Sequence, residues 1–263
     1  MTNPLTDETF WDEHWRDVRL PVEVREATAT PHQNEILKIF KAFLPIGHNL
    51  AVLEVGGAPG QYLAYVVRSF GYTAHAIDSS AVGCRKLEEN FRLLQLRVTV
   101  HHKDILRDDL WDMAPFDVVY SLGLVEHFTD PLPVVIKHVE LTKPGGTIVI
   151  GMPNFLGVNR WLLERFRPDV FKHHNLATMD LRAWSRFERQ LPVQRLFSGY
   201  VGGWEPRMYA STGSPKPVSV SIGAAARLAD HIPSFRRLNS KWWSGYVMVV
   251  YRRSEASAPS IKL

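Results

Sequence analysis

Leu53-Glu54-Val55-Gly56-Gly57-Ala58-Pro59-Gly60 runs an apolar strand into a carboxylate and then into a glycine-rich turn. The strand is expected from Leu50 to Val55 and the turn from Gly56 to Gly60. A helix then begins near Gln61, with Leu63, Val66, Val67 and Phe70 on its buried face. Glycines let the backbone pass close beneath a ligand, and the first turn of a helix offers unpaired N–H groups. Two more acids sit at expected strand ends. Asp78 follows Ala74 to Ile77, and Asp104 closes Val98 to Lys103.

Working outward, the glycine spacing separates two nucleotide-type ligands. A dinucleotide fingerprint GxGxxG would need glycines at 55, 57 and 60, and position 55 is Val. What remains is acid-x-Gly-x-x-x-Gly, which resembles the first motif of the class I S-adenosylmethionine-dependent methyltransferases. Ala58 replaces the middle glycine of the usual acid-x-Gly-x-Gly-x-Gly. The resemblance extends over residues 35 to 152. Phe116 to Gly123 is similar to the family's fourth strand, Glu126-His127-Phe128 to the turn after it, and Leu141 to Gly146 to the entry of the fifth strand at Thr147 to Ile150.

The fold so implied is α/β. It is a Rossmann-like, mostly parallel seven-stranded sheet with helices on both faces and an antiparallel last strand, plus an N-terminal helical segment and an insertion after the fifth strand. The pattern agrees, since strand and helix signals alternate from 35 to 150. Thr30-Pro31 reads as N-cap and first residue of a helix with Ile36, Leu37, Phe40, Phe43 and Leu44 on one face. Helices are expected at Ala81 to Leu96 and Leu132 to Leu141. Ser244 to Tyr251 is the last strand by resemblance, with Val193 to Tyr200 as its hairpin partner. The chain divides as one domain: a lid segment at 1–30, a cofactor core at 31–152, a substrate or lid insertion at 153–190, and a hairpin and helix at 191–253.

With 45% hydrophobic residues in 263, one sizeable core can form. The longest apolar runs fall far short of the ~20 residues of a membrane span, and residues 1–16 lack a signal-peptide core. One cysteine, Cys84, excludes an internal disulfide and fits a cytoplasmic protein. The net charge of +4 is diffuse, with modest concentrations at 160–172, 182–195 and Arg236-Arg237, so a solvated surface is expected and no nucleic-acid track. Ser254 to Leu263 reads as a frayed end.

The resemblance assigns S-adenosylmethionine as cofactor. Glu54, Gly56, Gly57, Ala58 and Gly60 then face its methionine part. Asp78 with Ser79 accepts the ribose hydroxyls, Asp104 and Ile105 meet the adenine, and Ser121 to Leu124, Gly123 included, run beneath the sulfonium. The alternative for each acid is a helix cap or turn residue. His127 is the candidate general base, titrating near neutrality, or else a loop anchor. Trp11 and Trp15, at i and i+4, either close over the substrate or pack on the core. His127, Asn154, His173 and His174 complete the candidate substrate contacts, and Arg25 could pair with the cofactor carboxylate. No metal is expected, because adjacent His173 and His174 have no sequence partner at ligand spacing.

The function expected is methyl transfer to a small organic acceptor, at oxygen before nitrogen or carbon, by in-line displacement through positioning and desolvation. The alternatives are an RNA or protein methyltransferase, or a cofactor-binding protein without catalysis. Against nucleic-acid amino groups, Ser121-Leu122-Gly123-Leu124 stands where an Asn/Asp-Pro-Pro-aromatic tetrapeptide would be. The partners expected are a small-molecule methyl acceptor and, at most, a second copy in a homodimer, with no membrane.

Overall fold

The computed structural model describes residues 4–113, 115–209, 216–231 and 238–255. An N-terminal α1 (Glu8–Arg16) and α2 (Pro31–Phe43) lead into β1 (Ala51–Val55) and α3 (Gln61–Phe70). Next come β2 (Thr73–Asp78), α4 (Ala81–Leu93), β3 (Thr99–His102), β4 (Phe116–Leu122), α5 (Leu132–Leu141) and β5 (Thr142–Pro153). The chain continues through α6 (Val158–Phe166), α7 (Leu181–Glu188), β6 (Val193–Trp204), α8 (Lys216–His231) and β7 (Ser244–Arg253).

The strands form one sheet in the order β3-β2-β1-β4-β5-β7-β6. β1, β2, β3, β4 and β5 run parallel, while β7 is antiparallel to both β5 and β6. This is the expected Rossmann-like sheet with its antiparallel last strand. The order reverses at β1 and β4, and that switch point opens a crevice at the carboxyl ends of the strands. Val118, Val119 and Tyr120 are all fully buried, so β4 reads as a continuous apolar run because helices cover both of its faces.

Local chemistry sets the helix starts. Thr30 and Gln33 form a reciprocal capping box at α2, and Ser80 caps α4 by accepting from Gly83 N–H at 2.8 Å. On one face of the sheet Ile36, Leu37, Phe40, Leu63, Leu87 and Phe91 pack against Val52, Val118 and Tyr120. On the other, Val134, Val135, Leu163 and Trp184 pack against Ile148, Ile150, Val247 and Val249.

Several boundaries differ from the sequence reading. The helix expected to reach Leu96 ends at Leu93. β5 begins at Thr142, ahead of the expected Thr147: Thr142 pairs with Phe116, and a register shift between Phe116 and Val118 precedes the continuous pairing from Thr147. β6 runs on to Trp204 through a second shift after Val201. The aromatics of the insertion after β5 separate: Trp184 is fully buried in the core, while Trp161 is 67% exposed. Arg236-Arg237 and most of the C-terminal end lie outside the described residues.

Candidate active site

The glycine turn is held open by backbone geometry and tied to its neighbour strand. Gly60 has φ +81°, a left-handed value that suits glycine, and an added Cβ would lie 2.9 Å from Phe91 Cε2. Gly57 has space for none either, since its Cβ would meet Glu54 Cγ at 3.1 Å and Ala76 Cβ at 3.3 Å. Asp78 then fixes the turn: its carboxylate accepts from Ala58 N–H at 3.2 Å and from Ser80 N–H at 2.9 Å.

Two cavities meet over this turn. The larger, of about 730 Å³, is lined by Trp11, Trp15, Gly56, Ala58, Asp78, Ser79, Asp104, Ile105, Gly123, Leu124 and His127. The smaller, of about 620 Å³, is lined by Trp15, His32, Glu54, Gly56, Gly57, Ala58, Gly60, Tyr62, Phe155, Arg207 and Tyr246. Trp15, Gly56, Ala58 and Leu122 belong to both, so an elongated ligand could lie across the two.

Helix α1 forms the roof. Asp12 accepts from Ser80 Oγ at 2.5 Å and from Val82 N–H at 3.1 Å, pinning α1 to the start of α4. The bond from Ser80 holds the Asp12 carboxyl below its ordinary range. Trp11 and Trp15 stack with centroids 5.9 Å apart. Trp15 lies so close to α4 that a Cβ on Gly83 would be 2.9 Å from its ring.

Three buried side-chain atoms at the smaller cavity have no hydrogen-bond partner among the described residues: Trp15 Nε1, His32 Nδ1 and Glu54 Oε2. A buried polar atom left unpaired is costly. Burial, with the Asp78 charge acting the same way, pushes the Glu54 carboxyl well above the ordinary range. Burial also raises Asp78, against the two backbone N–H bonds that lower it.

The sequence-derived candidates separate here. Ser121 lines neither cavity, since its fully buried hydroxyl lies 3.0 Å from His138 Nε2, behind β4. Asn154 is a structural brace, donating from Nδ2 to Lys241 and Ser244 carbonyls at 3.0 and 2.8 Å. Arg25 pairs with Glu23 at 2.8 Å, where it is exposed. Asp104 lines the larger cavity while its Oδ1 accepts from Leu106 N–H at 2.8 Å, so it is also a turn residue. His32, Tyr62, Arg207 and Tyr246 are not marked in the sequence, because they come from α2, α3, the short turn after β6 and β7, and carry no local motif.

His127 lines the larger cavity but differs from the expected base. Its Nδ1 lies 2.6 Å from the His173 carbonyl, and Trp11 packs edge-on against its ring. Burial, reinforced by the neighbouring His174, lowers its pKa to about 3 rather than leaving it near neutrality. His173 and His174 line neither cavity; His173 stacks on Phe10, whereas His174 comes within 4.5 Å of the His127 ring. The partner that His174 lacked in sequence is therefore supplied by the fold. Glu126, His127 and His174 bring their ligand atoms within 4.8 Å of one another.

Residues 52–146 match the methyltransferase domain family model. The ubiquinone biosynthesis O-methyltransferase of Methylococcus capsulatus is 34% identical over 37% of this chain and 41% of its own length. The tRNA U34 carboxymethyltransferase of Shewanella amazonensis is 26% identical over 39% of this chain and 31% of its own. The chain thus spans well under half the length of these curated relatives. Among solved structures, the geranyl diphosphate C-methyltransferase of Streptomyces coelicolor A3(2), in complex with Mg²⁺, geranyl diphosphate and S-adenosylhomocysteine, superposes with a TM-score of 0.63. It is 11% identical over 95% of this chain and 98% of that one, which is a likeness of fold. The glycine turn, the strand-end acids and the sheet order agree with the methyltransferase domain matched over residues 52–146, and the sheet as a whole has the fold of these methyltransferase structures.

Proposed function

We propose that the chain is an enzyme that transfers the methyl group of S-adenosylmethionine to an oxygen of a small organic acceptor. The observation that carries this is the pair of cavities joined over Gly56 and Ala58 beneath Trp15. When bound, the cofactor supplies an electrophilic methyl on a sulfonium. In this reading Asp78 and Ser79 receive the ribose, Asp104 and Ile105 border the adenine, and Glu54 receives the methionine ammonium. The unpartnered Glu54 Oε2 supports that last assignment, because a buried carboxylate is stabilised by a cation beside it.

The chain's residues orient and exclude water, which is most of what an in-line displacement requires. Trp11 and Trp15 close the crevice from above, so residues 1–30 act as the lid. His127 contributes a neutral imidazole at the acceptor side. A group with a pKa near 3 is a poor proton acceptor at neutral pH. The acceptor is therefore best read as a hydroxyl that is already acidic, a phenol for example. The likeness to an O-methyltransferase supports oxygen as the methylated atom.

A second reading, methyl transfer to RNA, is favoured by the likeness to the tRNA-modifying enzyme alone. Radiolabelled cofactor incubated with the purified chain and separate metabolite, RNA and protein pools distinguishes them. Label is expected in small extractable products, whereas label in RNA would replace the leading reading, and cofactor binding without label in any pool would favour a non-catalytic protein. A cytoplasmic location and a homodimer belong to the same proposal. The lone buried Cys84 supports the first, and sedimentation tests the second. Among the described residues no helix is long and apolar enough to cross a membrane.

A further inference from the structure

We infer that Glu126, His127 and His174 form a binding site for one divalent transition-metal ion beside the larger cavity. The tautomers of both histidines are fixed by the backbone. His127 Nδ1 faces the His173 carbonyl at 2.6 Å and His174 Nδ1 faces the Val170 carbonyl at 2.6 Å. A carbonyl only accepts, so each Nδ1 carries the proton and each Nε2 keeps its lone pair. This is the arrangement in which metal-ligating imidazoles are held by an outer shell.

Glu126 supplies the second, independent observation. It is 1% exposed, and its Oε2 has no hydrogen-bond partner among the described residues. Its Oε1 lies 3.9 Å from His127 Nε2, too far for a hydrogen bond. His127 Nε2 and the desolvated Glu126 carboxyl lie side by side, with a ring nitrogen of His174 within 4.8 Å of them. Donors on one zinc-like ion at ~2.0–2.2 Å lie ~3–4 Å apart, so the cluster, whose ligand atoms lie within 4.8 Å, needs only a small contraction. Two nitrogens and one carboxylate favour Zn²⁺, Co²⁺ or Fe²⁺ over Mg²⁺ and Ca²⁺, which prefer oxygen donors.

Three protein ligands leave positions for other groups, the pattern of catalytic rather than structural metal sites. His127 lines the larger cavity, so an open position there could hold an acceptor oxygen. That role, unlike the binding itself, rests on the methyl-transfer reading. A metal at that position would lower the pKa of a bound hydroxyl.

The test uses the full chain, stripped with a chelator and titrated with Co²⁺ followed by visible absorption, and with Zn²⁺ followed by calorimetry. One ion per chain is expected, with a Co²⁺ ligand-field spectrum of low coordination number. Glu126→Gln and His174→Ala should each weaken binding by more than about ten-fold, while exposed His48→Gln leaves it unchanged. His174→Ala is the safer variant, because its side chain is only partly buried. Folding is checked by circular dichroism and by retained S-adenosylhomocysteine binding. Absence of stoichiometric binding to the wild type, or unaltered binding in folded His174→Ala, would overturn the site. Stoichiometric metal with no methyl transfer in any pool would keep the site and sink the proposed activity instead.

Discussion

Asp78 serves two purposes that can be separated by measurement. Its two backbone hydrogen bonds hold the glycine turn, and its remaining lone pairs face the larger cavity. Asp78→Ala is therefore expected to weaken S-adenosylhomocysteine binding by ~1.5–3 kcal/mol, the scale of hydrogen bonds to a charged group. Calorimetry reads this directly, and unchanged affinity in a folded variant would put the ribose elsewhere. The pH dependence of stability offers a second residue-scale test. His138 is fully buried between Val134 and Ser121, and burial lowers its pKa to about 4 from 6.5. Between those values the unfolded chain binds a proton that the native chain refuses, so stability falls as pH drops from ~6.5 to ~4. Glu126, raised to about 8 by burial, acts with the opposite sign from ~4.5 upward. His138→Gln should shrink the loss between pH ~6.5 and ~5 by up to ~1.5 kcal/mol. An identical loss of stability with pH in wild type and variant, measured by urea denaturation at each pH, would mean that His138 takes up its proton in the fold.

At the scale of elements, α1 is the part whose placement the structure adds most to. Its start is written locally, since Asp7 accepts from Phe10 N–H at 2.8 Å as an N-cap. The Trp11–Trp15 spacing announces one helical face. Which end of the ligand that face covers depends on Asp12 bonding at the start of α4, a contact across 68 residues that no local pattern encodes. Residues 1–30 and 153–190 together were expected to close over the acceptor. Trp15 lines both cavities, so loss of α1 should weaken cofactor binding as well as turnover. Gly83→Val tests this from the α4 side, because its Cβ would press on Trp15 at 2.9 Å and on Ala58 at 3.0 Å. The expected result is faster hydrogen exchange in residues 8–16 and weaker cofactor affinity. A variant with unchanged exchange and affinity would show that α1 does not need that contact. The insertion at 153–190 was equally visible as a segment but not as a structure. Trp184 sends its indole N–H to the Thr178 carbonyl at 2.8 Å deep in the core, so α7 packs there, and Pro153, Phe155 and Arg167 are the residues of the segment that line the smaller cavity.

For the whole molecule, the cofactor half of the site was legible because its residues cluster in short motifs at strand ends, where a single turn fixes backbone and carboxylate together. The mostly parallel sheet with its antiparallel last strand followed from the resemblance that those motifs carry. The outer wall of the smaller cavity was not legible, because His32, Tyr62 and Tyr246 reach it from α2, α3 and β7, and their approach is set by packing on the sheet. The same distinction explains Ser121. Its position on β4 was read correctly, but the strand's alternation turns its hydroxyl toward α5 and away from the crevice. The account rests on S-adenosylmethionine lying across the two joined cavities under Trp15. The most direct measurement is a calorimetric titration of the wild-type chain with S-adenosylhomocysteine, with NAD as the comparison ligand. Saturable binding at a single site per chain, and none for NAD, is predicted from Val55 standing where a dinucleotide fingerprint needs glycine. Absence of saturable binding by S-adenosylhomocysteine, or preference for NAD, would contradict it.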